Sequence, residues 1–341
     1  MQAALTHWWE APDGPVVVRT SGSTAAPKDV MISRPALAAS AEATQTRLGG
    51  PGQWLLDLPA TFVAGLQVLV RSLVAETTPV VAAEHCSFAA AVAALGGGRC
   101  YTALVPTQLH RLAVAGELEL LRRFEAVLVG GAAVRPDLLN LCTDAQVPVV
   151  RTYGLTETCG GCVYDGYPLD GIEVRIGATG RIELAGPVLF DGYAGDPALT
   201  AQTLRDGWLL TGDLGTLAGD GRLVVLGRVD DVVISGGVNV SLPAVTATLL
   251  GLPEVVDAVA VGIDDSEWGL RVVACVVVPP GRLVPSLATV RRACAQTLPR
   301  TWAPRDVVRL EELPLRPGGK VDRAALAALA AARIAGRGGG A

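Results

Sequence analysis

Through its first two-thirds the chain alternates short β-rich runs with helical ones, and this alternation constrains its fold more than any other feature. Val16–Thr20 reads as a strand entering a loop, and Trp54–Leu58 as a second strand. Gly65–Ala75 reads as helix, Pro79–Ala83 as β, and Phe88–Leu95 as helix. Ala126–Val129 and Val147–Thr152 read as buried strands flanking a helical Pro136–Asp144. Apolar strands spaced by helices predict a parallel sheet with helices on both faces, an α/β fold. Past Tyr153 the rhythm shifts to shorter strands, Glu173–Ile176 and Arg181–Leu184, with glycine-bearing turns. A boundary falls near Arg228–Asp231, and beyond it lies a compact α+β pattern. Its elements are helix Pro243–Leu250, strands Ala258–Gly262 and Val272–Val278, and helix Leu287–Leu298. An alanine-rich helix follows Asp322, a candidate N-cap, and Gly336–Ala341 reads as a frayed tail. The expectation is two domains, residues 1–229 and 230–334.

A chain of 341 residues, half of them apolar, has material for two cores. The net charge of −5 and the dispersed arginines argue against a nucleic-acid surface. Met1–Glu10 has no basic segment followed by an apolar stretch, and the longest apolar runs, such as Val272–Val278, fall far short of a membrane span. Seven scattered cysteines fit reduced thiols. The expectation is a soluble cytoplasmic protein.

Of the 28 basic side chains only two are lysines, Lys28 and Lys320. Arginine has replaced lysine wherever a planar fork serves, so the survivors mark places that need a compact, mobile ammonium. Both stand in loops dense with Gly, Pro, Ser or Thr, the kind that binds phosphate. Thr20-Ser21-Gly22-Ser23-Thr24-Ala25-Ala26-Pro27-Lys28 follows a strand and can wrap a polyphosphate with backbone N–H groups, hydroxyls and one charge. It lacks the Walker spacing, and no Ser or Thr follows Lys28. In Tyr153-Gly154-Leu155-Thr156-Glu157 an aromatic can stack on a base, while a hydroxyl and a carboxylate can hold phosphate and Mg²⁺. Thr211-Gly212-Asp213 offers a carboxylate for ribose hydroxyls. Gly227-Arg228-Val229-Asp230, Ser235-Gly236-Gly237 and Gly318-Gly319-Lys320 follow in that order.

This ordered series resembles the adenylate-forming superfamily of acyl-CoA synthetases, luciferases and peptide-synthetase adenylation domains, from about Val16 to Ala327. With Leu104-Val105-Pro106-Thr107-Gln108-Leu109 and the stretch Glu157–Gly166, it looks like the short o-succinylbenzoate–CoA ligases of menaquinone biosynthesis in actinobacteria. The resemblance implies a large N-terminal domain of stacked β-sheets with flanking helices and a small mobile α+β C-terminal lid. Because the phosphate loop begins near residue 20, most of the usual N-terminal subdomain is expected to be absent.

The implied activity is ATP-dependent ligation of a carboxylic acid to CoA through an acyl adenylate, with Mg²⁺. Thr20, Ser21, Gly22, Ser23, Thr24 and Lys28 would cradle phosphates. Tyr153 and Gly154 would pack on adenine beside Gly130, Gly131 and Ala132, with Thr156 near the α-phosphate and Glu157 on the metal. Asp213 and Arg228 would hold the ribose, and Lys320 would serve the adenylation transition state. Asp230 would be the hinge, and rotation about it would bring Ser235, Gly236 and Gly237 to the CoA channel. Phe62, Gly130, Gly160 and Gly161 would bound the acid, the glycines leaving a flat slot for an aromatic ring. The partners implied are small molecules, and a homodimer is left open.

Three features depart from the family. Ala25 and Asp29 replace glycines of the phosphate loop, Thr61-Phe62-Val63 stands where many relatives carry a gating histidine, and Thr246 replaces a frequent glutamate. These keep two rivals open: transfer of the acyl group to another thiol or amine in a secondary-metabolite pathway, and a non-catalytic nucleotide- or acyl-binding paralogue. Cys159-Gly-Gly-Cys162 lacks the further ligands a zinc site needs and reads as small pocket-lining residues. His110 reads as a surface or core-edge residue, Trp8 and Trp9 as packing anchors, and Arg122 with Arg123 as a solvated helix face.

Overall fold

The structure, a computed structural model, describes residues 2–11, 14–20, 27–314 and 321–338. The chain divides into two compact units, Met1–Thr211 with Thr216–Val224, and Gly212–Gly215 with Val225–Ala341.

The first unit begins with α1 (Gln2–Glu10), β1 (Val16–Arg19), β2 (Asp29–Ile32), α2 (Arg34–Arg47), β3 (Gln53–Leu56), α3 (Val63–Val74) and β4 (Val80–Val81). Next come α4 (Phe88–Ala93), β5 (Cys100–Leu104), α5 (Pro106–Val114), β6 (Ala126–Val129), α6 (Pro136–Asp144), β7 (Val149–Leu155), β8 (Gly160–Tyr164) and β9 (Tyr167–Pro168). A seven-stranded sheet runs β4-β3-β5-β6-β7-β8-β9. Its strands are parallel as far as β7, with Leu104 opposite Val129 and Val129 opposite Arg151. There the expected all-parallel pattern ends, because β8 and β9 run antiparallel. A single 3₁₀ turn, Thr156–Thr158, joins β7 to β8, which leaves no length for a crossover helix. β7 is also half-buried rather than buried as expected.

Alternation across β5 feeds two cores. Tyr101 and Ala103 join Leu37 of α2 and Val68 of α3 on one face, while Cys100 and Leu104 join Ala91 of α4, Leu109 of α5 and Leu138 of α6 on the other. Each fully buried leucine or valine contributes about 1.5–3 kcal/mol. Trp8 and Trp9 pack at the edge of the first cluster. The β reading of Pro79–Ala83 shrinks to Val80–Val81 followed by a 3₁₀ turn. Arg122 is exposed and Arg123 partly so on a 3₁₀ turn, where Arg122 donates to Gln146 Oε1 at 2.7 Å and Arg123 to the carbonyls of Gly96 and Gly98.

The unit continues through β10 (Glu173–Ile176), β11 (Arg181–Ala185), β12 (Gly192–Tyr193), α7 (Pro197–Thr203) and β13 (Leu204–Arg205), and the residues of β14 (Trp208–Leu217) and β15 (Leu223–Arg228) are divided between the two units. Strands β10-β11-β14-β13 form a second sheet, with β15 on β14. Strand β12 instead returns to β2, placing Tyr193 opposite Val30 and completing a three-stranded sheet, β1-β2-β12.

The second unit holds β16 (Val232–Ser235), β17 (Val238–Ser241), α8 (Leu242–Leu250), β18 (Asp257–Asp265), β19 (Gly269–Val277), α9 (Leu287–Thr297), β20 (Asp306–Leu310) and α10 (Arg323–Gly338). Its sheet runs β17-β16-β19-β18, with β20 parallel to β19. Ala274 and Val276 face Val245 of α8 and Val290 of α9, while Val273 and Cys275 face Leu326 and Ala330 of α10. Asp322 caps α10, accepting from the N–H groups of Ala324 and Ala325 at 3.2 and 3.1 Å. The helix runs through Gly338, so Gly336 belongs to it and not to a frayed tail. Thr246 has a structural use, its hydroxyl accepting from Ala260 N at 2.8 Å and tying α8 to β18.

Candidate functional site

Antiparallel β1 and β2 bring the two ends of the serine-rich loop together. Thr20 N donates to Lys28 O at 2.9 Å, and Lys28 N donates to Thr20 Oγ1 at 2.9 Å. The Thr20 hydroxyl therefore accepts a bond that closes the base of the loop. Ser21, Gly22, Ser23, Thr24 and Ala25 lie outside the described residues. Asp29 meets Arg19 through two hydrogen bonds, so its carboxylate is already neutralised beside Lys28.

The Lys28 ammonium lies 4.9 Å from the centroid of the Tyr193 ring. On its other side Tyr193 donates from its hydroxyl to Glu157 Oε1 at 2.7 Å. Glu157 is buried, and its backbone carbonyl accepts from Phe190 N at 2.9 Å. Burial, followed by the Glu157 carboxylate, pushes the Tyr193 phenol well above its ordinary value, so it is a neutral donor. A cation and a carboxylate far apart in sequence thus meet across one aromatic ring.

Thr158 sets the turn that carries Glu157. Its hydroxyl accepts from Leu155 N at 2.8 Å and lies 2.8 Å from the Gly160 carbonyl. Cys159 then takes φ 54°, an unusual conformation for a non-glycine residue, before β8 starts. Thr156 stands at the start of the same turn, directly after β7 with Tyr153 and Gly154.

The glycines expected to leave a flat slot are explained by strand packing. A side chain at Gly130 would strike Thr152, one at Gly154 would strike the Gly160 backbone, and one at Gly161 would meet Thr152 Cβ at 3.0 Å. Gly131 takes φ 82°, and Ala132 follows it in the loop after β6. Gly160 faces ordinary room, 3.7 Å from Gln67 Cγ and 3.9 Å from Val63 Cγ2, as does Gly131, 3.6 Å from Val105 Cγ1. Phe62 precedes α3 and is exposed. Cys159 and Cys162 are core residues rather than pocket lining, with Cys162 pushed up to about 12 by burial. Among the described residues no cluster of three metal-ligating side chains occurs.

Two polar residues on α3 were missed in the sequence. Gln67 is buried, and among the described residues neither atom of its amide has a partner. Arg71, one turn on, is buried, stacks 4.9 Å from the Trp54 ring and reaches Tyr164 Oη at 3.4 Å. Burial lowers its pKa, and among the described residues it forms no ion pair. The signal was present as two polar residues four apart inside the apolar run Val63–Val74.

In the second unit Arg228 Nη1 lies 3.2 Å from Asp213 Oδ1. Gly212 leaves the space this guanidinium takes, since a side chain there would meet Nη2 at 2.9 Å. Ser235 ends β16 and is buried, while Gly236 and Gly237 turn the chain with φ 58° and 76°. The side chain of Asp230, and Gly318, Gly319 and Lys320, lie outside the described residues. No helix among the described residues is long and apolar enough to cross a membrane.

Comparison with known proteins gives this geometry its context. The AMP-binding enzyme pattern matches residues 6–193, and the AMP-binding enzyme C-terminal domain pattern matches residues 245–320. A Mycobacterium tuberculosis (strain ATCC 25618 / H37Rv) protein named "Probable 2-succinylbenzoate–CoA ligase" is 44% identical, over 92% of this chain and 84% of its own. The 2-succinylbenzoate–CoA ligase of Listeria innocua is 31% identical, over 94% of this chain and 71% of its own. The solved structure of o-succinylbenzoate CoA synthetase (MenE) from Bacillus subtilis, in complex with the acyl-adenylate intermediate OSB-AMP, superposes with TM-score 0.72 at 28% identity, covering 91% of this chain and 68% of that one. The chain belongs to the family of AMP-binding, adenylate-forming enzymes.

Proposed function

We propose that the protein is an ATP-dependent acid–CoA ligase that works through an acyl adenylate, with 2-succinylbenzoate as its acid. The observation that carries this is the convergence of Lys28 and Glu157 on Tyr193. Lys28 supplies the charge for the β- and γ-phosphates at the mouth of the hydroxyl-rich loop. Glu157 fits Mg²⁺, which keeps most of its water and is held by one or two carboxylates together with substrate phosphates. Bound there, Mg²⁺ would neutralise phosphate charge. The substrate carboxylate attacks the α-phosphorus of ATP, forming acyl adenylate and releasing pyrophosphate. The thiol of CoA then displaces AMP. Lys320 neutralises charge developing in the first step, Asp213 and Arg228 hold the ribose, and the Ser235–Gly237 turn serves the thiol after rotation about Asp230.

The acid is inferred from the relatives' names and from α3. A buried Arg71 without a carboxylate partner among the described residues, one turn from the unpartnered amide of Gln67, suits an acid with a second carboxylate. The rival of a degraded paralogue drew on Ala25 and Asp29; the pairing with Arg19 answers the charge of Asp29, and Ala25 lies outside the described residues. The test is acid-dependent ATP–pyrophosphate exchange across aryl and keto acids, with Lys320→Ala as control. Exchange with 2-succinylbenzoate that is lost in the variant supports the reading. Exchange with other acids alone sinks the substrate, and absence of ATP binding sinks the ligase.

A further inference from the structure

We infer that Tyr193 is the positioning residue of the adenylation site, holding Glu157 in its metal-binding orientation with its hydroxyl and the Lys28 ammonium at the phosphate loop with its ring. This rests on the reading above, in which Glu157 serves Mg²⁺ and Lys28 the polyphosphate.

Neither task is visible in the sequence, where Gly192-Tyr193 is an isolated pair between turns. The fold creates it by returning β12 to β2. Pairing Tyr193 with Val30 makes Lys28, two residues before Val30, its diagonal neighbour across the sheet. Phe190 fixes the ring from a third side, edge-on with centroids 4.9 Å apart. The phenol hydroxyl donates to the carboxylate at 2.7 Å and so attracts it.

The consequence for Glu157 is directional. A free carboxylate rotates about its last torsion and presents either oxygen. Here Oε1 takes a charge-assisted bond at 2.7 Å, while among the described residues Oε2 accepts none. One oxygen is thereby tied and the other left for a cation. The consequence for Lys28 is a resting place. An ammonium over a ring face keeps a weak attraction that incoming phosphate oxygens can outbid, so the lysine stays near its task, and among the described residues it has no acidic partner to break.

The two tasks separate by substitution. Tyr193→Phe keeps the ring and removes the hydroxyl, whereas Tyr193→Leu removes both. ATP–pyrophosphate exchange is followed as Mg²⁺ is titrated, and binding of ATP without Mg²⁺ is measured by calorimetry. Tyr193→Phe is expected to raise the half-activating Mg²⁺ concentration by about tenfold and to leave metal-free ATP binding within about twofold. Tyr193→Leu is expected to weaken metal-free ATP binding as well, in the direction of Lys28→Ala. In a Glu157→Gln background, Tyr193→Phe is expected to add no further shift in Mg²⁺ dependence, which a merely structural role would not produce. Equal shifts in both backgrounds, or no shift from Tyr193→Phe where Glu157→Gln gives one, overturn the inference and leave the ligase reading standing. If Glu157→Gln leaves Mg²⁺ dependence unmoved, the metal role of Glu157 falls and the inference falls with it. Melting temperatures of the variants identify any that fail to fold, and Tyr193→Phe retains the packed ring that guards against this.

Discussion

Arg19 and Asp29 stand opposite each other across β1 and β2, the guanidinium donating to both carboxylate oxygens at 2.8 and 2.9 Å. The acidic residue that follows the phosphate-loop lysine thereby carries its own counter-charge. Arg19→Ala should free that charge and weaken ATP binding about two- to fivefold at low ionic strength, as befits an exposed pair. Added salt should shrink the effect, and Arg19→Ala combined with Asp29→Asn should abolish it. A double variant as weak as the single would show that the loss is not electrostatic. The hydrogen bond from Arg19, assisted by its charge, holds the Asp29 carboxyl below the usual range. A depressed folded pKa contributes stability above the unfolded value near 3.9 and loses it as pH falls through the folded one. ATP binding near neutrality should therefore show no titration of this pair.

Gln67 trades stability for recognition in the proposed site. An unsatisfied buried amide costs about 1–3 kcal/mol, and this residue is 1% exposed with both amide atoms unpartnered among the described residues. Gln67→Met fills the same volume without the polar atoms. It should raise unfolding free energy by about 1–2 kcal/mol, while kcat/KM for the acid falls and the KM for ATP holds. Denaturant unfolding checks the first part and exchange kinetics the second. A destabilised variant would mean that ordered water satisfies the amide and that the residue belongs to the scaffold.

Thiol chemistry follows burial. Cys86 is exposed and the six other cysteines are buried. Burial pushes Cys162 up to about 12 and Cys159 higher still. A thiol reagent at pH 8 should label one group in the folded protein and none in Cys86→Ser. Because folded pKa values are raised above an unfolded value near 8.5, these thiols contribute stability below that pH and lose it as pH rises towards 12. Unfolding midpoints measured from pH 7 to 10 should fall accordingly.

What the sequence revealed depended on the size of side chains. Ala126–Val129 was legible to its ends because all four residues are apolar and buried. Helix α2 was not, because its buried face is Ala36, Leu37, Ser40, Ala41 and Thr44, too small and polar to make an apolar stripe. Glycines announced themselves at 130, 154 and 161, but what approaches each is a tertiary fact, and Thr152 turned an expected slot into a packed contact. The motif residues Lys28 and Glu157 were readable one by one. Their meeting at Tyr193 was not, since a two-residue strand leaves no periodicity.

Of the two glycines in the Ser235–Gly237 turn, Gly236 is the more tightly held by its surroundings. It adopts φ 58°, donates its N–H to the Trp268 carbonyl at 2.9 Å, and leaves the room that the Trp268 ring occupies. Arg305 stacks on that ring with its guanidinium 3.2 Å from the centroid, which limits where the indole can move. Gly236→Ala therefore meets two obstacles, a left-handed conformation costing roughly 1–2 kcal/mol and an immobile ring. Gly237 has φ 76° but open space around it, so Gly237→Ala meets only the first. If the turn serves the thiol step, Gly236→Ala should slow CoA-dependent thioester formation by about tenfold, the value of a misplaced positioning element. It should leave acid-dependent ATP–pyrophosphate exchange within about twofold, and Gly237→Ala should fall between it and the parent. Trp268→Leu in the Gly236→Ala background relieves the steric obstacle and should recover part of the thioester rate. Equal losses in both half-reactions would make the turn a general support of its unit, and the thiol role of Ser235–Gly237 would have to be given up.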